Sequence, residues 1–315
     1  MPNVTTTSNV SPQPDVYFNR QLLARAKPFL IHGIPAQKAR LPDGESDQMR
    51  WRRIQNLPTA TVALSEGVPP SGSKLSVIDQ TVQLQQYGDY ITVSDKVTYI
   101  VSSPTLNDNL PVLAQQMAET LDELTRSVLE TSASIYNCQY GDNGQTPTEL
   151  TTKDLREVVK QLKGADGIMF EPRMGGSTNV GSEPVRAAFW MMMHTDLEVD
   201  LEELANFLPV AKYSKPEMAK DGEIGSVGNL RVLASSVGSV TSGSPDIYNM
   251  FCAARDAYGT VQLDKGMVSH IFNDAKSGGT SNPLWQYSTQ GWKAFAANKL
   301  LNDSWLVNAR ATLDT

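Results

Sequence analysis

Seven apolar residues, Leu106, Leu110, Leu113, Met117, Leu121, Leu124 and Val128, recur at steps of four, three, four, four, three and four. Only an α-helix gathers such a series onto one face. Asn107, Asp108 and Asn109 offer capping side chains, and Pro111 suits a first helical turn, so the spacing predicts a helix over residues 109–137. Gln115, Gln116, Glu119, Asp122, Glu123 and Arg126 fall between the apolar positions and read as its solvated face. At about 1.5 Å per residue such a helix spans roughly 40 Å, more than a small core needs. A chain built this way is expected to use the helix as a backbone on which other elements hang.

The segment after Asn56 is β-prone. Runs at Thr59–Leu64 and Leu75–Leu84 flank EGVPPSGSK, whose Gly, Pro and Ser mark a loop tip. The stretch LQQYGDYITVSD (Leu84–Asp95) alternates like a strand, yet Gln, Asp, Thr and Ser fill most of it. Gly88 marks a bulge or a close backbone approach. Isolated two-stranded hairpins are marginal in water, so this one is expected to project and rest on another surface. Before it, the polar opening residues, a short helix expected at Val16–Lys27 and the cluster Arg50, Trp51, Arg52 and Arg53 read as an extended arm.

Further along, Thr152–Lys163 reads as an amphipathic helix with Leu155, Val158, Val159 and Leu162 on one side. A strand is expected at Ala187–Met193, a helix at His194–Phe207, and a turn with a strand within Gly222–Ser235. Further strands are expected at Phe251–Ala257, Thr260–Leu263 and Met267–Phe272. Two apolar runs around LNDS read as a hairpin over Trp292–Leu313.

The chemistry of catalysis is thin. His32, His194 and His270 form no ligand-spaced cluster, and Cys138 and Cys252 match no metal spacing. The thiols read as reduced and buried in a cytosolic product. His194 with Asp196 is a candidate hydrolase pair, but no GxSxG elbow or CxxC accompanies it, and the plainer reading is a polar helix start. GGSTNVG (Gly175–Gly181) lacks the GK[ST] ending of a phosphate-binding loop and reads as a plain loop. The acidic pairs Asp122/Glu123 and Glu202/Glu203 read as solvated helix faces. A net charge of −7 argues against gripping nucleic acid through its phosphates. The opening residues show no secretory pattern and no run of about eighteen apolar residues occurs, so neither export nor a membrane span is expected. No catalytic, cofactor-binding or metal site is expected. An arm, a projecting hairpin and an overlong helix without an active site instead fit self-assembly, in which one copy covers what another exposes.

Taken together and in order, WRR, LSEG, QYGDY, ETLDELTR, GEIG and GWKAF make the chain resemble tailed-bacteriophage major capsid proteins, more narrowly the N-four-phage-type branch. The likeness runs from about Val16 to Asp314. It implies the α+β Hong Kong 97-type capsid fold, with residues 1–56 as the arm, 57–103 as the E-loop hairpin and 104–193 as a peripheral domain holding the spine helix. Residues 194–282 would form the axial domain, and 283–315 would return to the peripheral one. It also implies pentamers and hexamers closing into an icosahedral head around double-stranded DNA, assembled in the host cytoplasm. The expected partners are the chain itself, a portal protein, and scaffold and decoration or cement proteins, with no cofactor. Trp51, Arg52, Arg53, Glu66, Lys74, Gln83, Gln85, Tyr87 and Asp89 are the candidate contacts between subunits. In some relatives a lysine of the E-loop forms an isopeptide bond. Lys74 lies near the tip here, but no matched Asn and acidic partner is evident, so no crosslink is expected. An encapsulin-like compartment shell is the alternative within the same fold, and a hydrolase using His194 and Asp196 the alternative outside it.

Overall fold

A computed structural model describes residues 4–5, 31–42, 46–63, 67, 72–96, 105–170, 173, 175, 183–263, 268–276 and 282–314, with 4–5, 105–108 and 262–263 described by backbone alone. The helix expected at Val16–Lys27, and GGSTNVG beyond Gly175, lie outside these residues.

The first strands are β1 (Val4–Thr5), β2 (Gln37–Leu41), β3 (Gln48–Ile54), β4 (Val77–Gln83) and β5 (Gln85–Ser94). Helix α1 (Thr105–Glu130) follows, then β6 (Ile135–Gln139), β7 (Asp142–Asn143), α2 (Thr152–Gly164) and β8 (Phe189–His194). A 3-10 turn at Thr195–Leu197 runs into the short α3 (Glu198–Glu202) and on to β9 (Phe207–Pro209). Next come β10 (Glu223–Val227), β11 (Leu230–Ser235), β12 (Val240–Thr241), β13 (Ile247–Ala253) and β14 (Tyr258–Leu263). The last are β15 (Val268–Asn273), β16 (Tyr287–Leu300) and β17 (Leu306–Ala311).

These strands build two large sheets and a separate ribbon. A six-stranded sheet runs β1-β5-β16-β14-β2, with β15 also paired to β16. A nine-stranded sheet runs β7-β6-β17-β13-β8-β11-β10-β9, with β12 on β13. Strands β3 and β4 pair only with each other.

Helix α1 joins the two sheets. Leu110, Leu113, Ala114, Met117 and Ala118 pack on Trp292 and Ala294 of the six-stranded sheet, with Tyr87 and Ile91 at the margin. Leu129, near the other end, sits with Trp190, Met192, Leu233 and Phe251 on the nine-stranded sheet. The helix is shifted from the expected 109–137: it starts at Thr105 and stops at Glu130, and residues 135–139 are a strand. Asp303 accounts for the stop. Its carboxylate accepts hydrogen bonds from the Ser132 hydroxyl at 3.2 Å and the Ala133 N–H at 3.1 Å, and Ile135–Asn137 then pair with β17.

One supposedly solvated residue of α1 is buried. Asp122 accepts from the His32 backbone N–H at 2.9 Å and lies 2.6 Å from its Nδ1, and both residues are out of solvent. Tyr258 donates its hydroxyl to the His32 carbonyl. The chain at His32 is thus pinned to the helix, a contact that periodicity within one element cannot reveal.

Strand β8 shows why the nine-stranded sheet is thick. Phe189, Met191 and Met193 face a core shared with Leu155, Val158, Val159 and Leu162 of α2, whereas Trp190 and Met192 face α1. Both faces are covered, so the sequence is a continuous apolar run. α2 begins at a capping box, with Thr151 and Asp154 satisfying each other's backbone N–H groups. The segment expected as one helix from His194 to Phe207 is a 3-10 turn, a short α-helix and the start of β9.

The expected C-terminal hairpin does not form. β16 pairs with β5, β14 and β15, while β17 pairs with β13 and β6, so LNDS hands the chain from one sheet to the other. Sheet membership therefore cuts across the boundaries expected at residues 193 and 282. β6 and β17 belong with β8–β13, and β14 and β15 belong with β16.

Within β10–β11, Arg231 and Glu223 form a fully buried pair, with Nε to Oε1 at 2.6 Å and a second contact at 2.7 Å. The guanidinium lies over Trp190 at 4.9 Å. Removing one charge strands the other in a dry site, whereas removing both does not. Arg231→Leu should cost about 3–5 kcal/mol in denaturant unfolding, and adding Glu223→Leu should recover only part of it, because the buried Tyr213 hydroxyl then loses its acceptor at 2.9 Å.

Burial also pushes the Cys252 thiol up to about 12. The folded state then holds a proton that the unfolded thiol releases near pH 8.5. This contribution is complete below about pH 8.5 and is lost as pH rises toward the folded value. Wild-type stability should fall across that window, and Cys252→Ala should lessen the slope of the unfolding free energy against pH.

Candidate assembly surface

The projecting hairpin is real but is assembled from different residues than expected. Its outgoing limb is β3, containing Trp51, Arg52 and Arg53, in register with β4: Met49 faces Val82, Trp51 faces Gln80, Arg52 faces Asp79 and Ile54 faces Val77. Thr59–Ala63 carry no strand, and Leu64 lies outside the described residues. The basic cluster is therefore hairpin rather than arm.

Alternation gives the ribbon two unlike faces. On the inner one, Met49, Trp51 and Val82 pack with Leu84 against Leu41, Val261 and Ala297 of the six-stranded sheet. Trp51 lies over Gly259: a Cβ added there would come within 2.7 Å of the indole. On the outer face Arg52 donates to both carboxylate oxygens of Asp79, at 2.9 and 3.2 Å. That hydrogen bond raises the Arg52 pKa and lowers that of Asp79. The pair is solvated and sets register more than stability.

Ile54 and Val77 face each other on the outer side, beside Arg52 and Asp79, and the chain beyond this pair is exposed as well. Ile54, Leu57, Leu75 and Val77 are all exposed, and Val62 is 85 % exposed. Lys74 lies exposed in the same non-strand segment, and Glu66 lies outside the described residues.

LQQYGDYITVSD is not the return limb waiting for a neighbour. Residues from Gln85 to Ser94 form β5, which pairs antiparallel with β16 over ten positions in the same chain. Leu84 alone separates it from β4. Gly88 is a close approach, as expected: a Cβ would stand 2.6 Å from the Trp292 carbonyl oxygen. Of the four candidates here, Gln83 donates to Asp47 at 2.8 Å, and Tyr87 packs beside α1. Asp89 accepts from Gln116 at 2.6 Å, while Gln116 accepts from the Trp292 indole at 3.1 Å. Gln85 pairs with Ala296 and stays exposed. These partners, Asp47, α1 and β16, all lie within the same chain. A groove of about 760 Å³ follows this ladder, lined by Tyr90, Ile271, Tyr287 and Lys293 among others.

His194 and Asp196 do approach, at 3.3 Å, but the ring accepts the Asp196 backbone N–H and so caps the turn after β8. The nearest partner is the Tyr248 hydroxyl, 3.1 Å from Asp196. Its pKa is raised by burial and then by Asp196, which keeps it protonated and a poor nucleophile. Among the described residues no group of three or more His, Cys, Asp or Glu is placed to hold a metal. Among the described residues no helix is long and apolar enough to cross a membrane.

No protein-family model matches the sequence, and no curated protein matches it. The architecture, however, is that of phage capsid subunits. The capsid of Ralstonia phage GP4 superposes with a TM-score of 0.61 at 13% identity, covering 90% of this chain and 88% of that one. The head structure of Helicobacter pylori bacteriophage KHP40 gives 0.61 at 10% identity over 99% and 95%. The capsid of cyanophage Pam1 gives 0.59 at 12% identity over 98% and 96%. At these identities what is shared is the fold, across nearly the whole length of each chain.

Trp51 is the hinge between seated and projecting parts of the ribbon. Trp51→Ala should speed hydrogen exchange across β3 and β4 while leaving protection in β8 and β13 unchanged.

Proposed function

We propose that the chain is a major capsid protein whose copies assemble as pentamers and hexamers into the icosahedral head of a tailed phage, around double-stranded DNA. The observation that carries this reading is the hairpin. It leaves the body at Trp51 and presents Ile54, Leu57, Val62, Leu75 and Val77 to solvent, on a fold shared with phage capsid subunits from end to end. Aliphatic side chains held away from their own core gain free energy when a neighbour covers them.

In the Hong Kong 97-type scheme this ribbon is the E-loop and α1 the spine helix. The six-stranded sheet is the peripheral domain and the nine-stranded sheet the axial domain, so the boundaries follow the sheets rather than single cuts in the sequence. Contact between subunits then falls to the ribbon's outer part, with Lys74, Arg53 and the exposed aliphatics, and not to Gln83, Tyr87 or Asp89. The charge of −7 suits a wall that need not attract the DNA it encloses. Portal, scaffold and decoration proteins are the further partners of such a shell, built in the host cytoplasm and carried into the virion.

Electron microscopy of the expressed full chain is the direct test: uniform closed shells support the reading, and a persistent monomer overturns it. Ile54→Lys combined with Val77→Lys should leave a soluble subunit with wild-type circular dichroism and thermal midpoint. Its yield of shells by sedimentation should fall about tenfold or more, since burying a charge at a contact costs more than the 1.4 kcal/mol that tenfold represents.

A further inference from the structure

A second surface, away from the hairpin, carries a charge pattern that the described residues match only in part. A cleft of about 590 Å³ opens between α2 and the β9–β10 edge of the nine-stranded sheet. Its floor is apolar, formed by Leu155, Val159, Val185, Leu208 and Val227. Its rim is basic. Arg156, Lys160 and Lys163 recur at helical spacing along α2, and Arg186 comes from the segment before β8. Lys160 is shared with Glu157 at 2.7 Å, and Lys163 reaches the Asn229 side chain at 3.3 Å. Arg156 and Arg186 have no ion-pair partner among the described residues, and Glu183 is the one carboxylate among the described lining residues. Four cations around an apolar floor, in a chain of net charge −7, fit an occupant that is acidic and partly apolar.

The chain itself carries such a surface. Between Thr195 and Glu203 stand Asp196, Glu198, Asp200, Glu202 and Glu203, with no Lys or Arg. Leu197 and Leu201 anchor this segment in the core, whereas Val199 is 65 % exposed, one turn from Glu202 and Glu203. Glu198, Glu202 and Glu203 have no ion-pair partner among the described residues. Arg186 precedes β8 and Asp196 follows it, so a six-residue strand of about 20 Å lies between them, while the segment's other end, Glu203, stands three residues before Asn206 of the cleft lining. No ion pair joins the two groups within the described residues.

We propose that this basic cleft receives the acidic α3 ridge of a second copy, Val199 entering over the apolar floor while Glu198, Glu202 and Glu203 meet Arg156, Lys160 and Arg186. The contact joins two different patches and is therefore heterologous, the kind that closes rings when the rotation between copies permits. It deepens the shell reading above and rests on it. It also assigns the subunit a second contact that is independent of the hairpin.

The test is a charge exchange in the full chain. Arg156→Glu with Arg186→Glu, and separately Glu202→Lys with Glu203→Lys, should each lower shell yield at moderate salt by about tenfold or more, with circular dichroism and thermal midpoint unchanged. The chain carrying all four substitutions should recover at least half of the wild-type yield, because the pairing is restored with its signs reversed. Either pair assembling at the wild-type level would overturn the contact while leaving the shell reading intact. So would a folded four-fold variant that fails to recover, the result expected if the cleft serves an acidic segment of another protein. A wild-type chain that forms no shells would overturn both readings.

Discussion

The pairing of β5 with β16 is the interaction on which the other parts depend. Ten registered positions join Gln85–Ser94 to Tyr287–Ala296, residues some two hundred apart in sequence. Gly88 and Gly291 sit where a Cβ would meet backbone of the opposite strand, so the ladder is closer at these points than side chains allow. Helix α1 lies along this ladder and is fixed in register by Gln116, whose amide binds Asp89 on one strand and Trp292 on the other. A polar bridge of this kind has a geometry, whereas the apolar stripe beneath it could slide by a turn. That is the physical reason a long helix and a polar strand hold one arrangement.

Every projecting feature is positioned by that ladder. β4 reaches β5 through Leu84 alone, so the direction of the hairpin is inherited from the sheet, and the indole of Trp51 over Gly259 sets where it departs. β16 leads through the Asp303 turn into β17, which places the nine-stranded sheet against the far end of α1. The two proposed assembly surfaces are the aliphatic ribbon, seated on the six-stranded sheet, and the basic cleft with its acidic counterpart on the nine-stranded one, and α1 packs on both sheets. A subunit that bonds to neighbours in more than one direction needs a stiff link between them, since ordering a floppy connection on assembly would cost conformational entropy.

What could be read in advance had local causes. The stripe from Leu110 to Leu121, the capped helix from Thr152 and the apolar strand at Phe189–Met193 are each specified by spacing within one element, whereas past Leu121 the buried positions shift to Asp122, Thr125 and Leu129. His194, which reads as part of a polar start after a strand, caps the turn that follows β8. The misreadings share one cause, which is a partner distant in sequence. Asp122 looked solvated because His32 is ninety residues away, and LQQYGDYITVSD looked unpaired because β16 follows it by two hundred. WRR looked like arm because its antiparallel partner, Val77–Gln83, had been assigned to a different limb.

The sequence by itself determined the existence of α1 and α2, the strand that is apolar on both faces and the acidic charge. Each is a property of residue type and near-neighbour spacing, which a linear chain carries openly. Tertiary structure alone decided which strands meet, that the last two strands part into different sheets, and which polar residues are spent inside the subunit. It also decided that Ile54 and Val77 are exposed and that Arg156 and Arg186 on the rim of the α2 cleft have no ion-pair partner among the described residues. Those outcomes depend on a competition among distant pairings for the same hydrogen bonds and the same apolar cover, and that competition is resolved only in three dimensions.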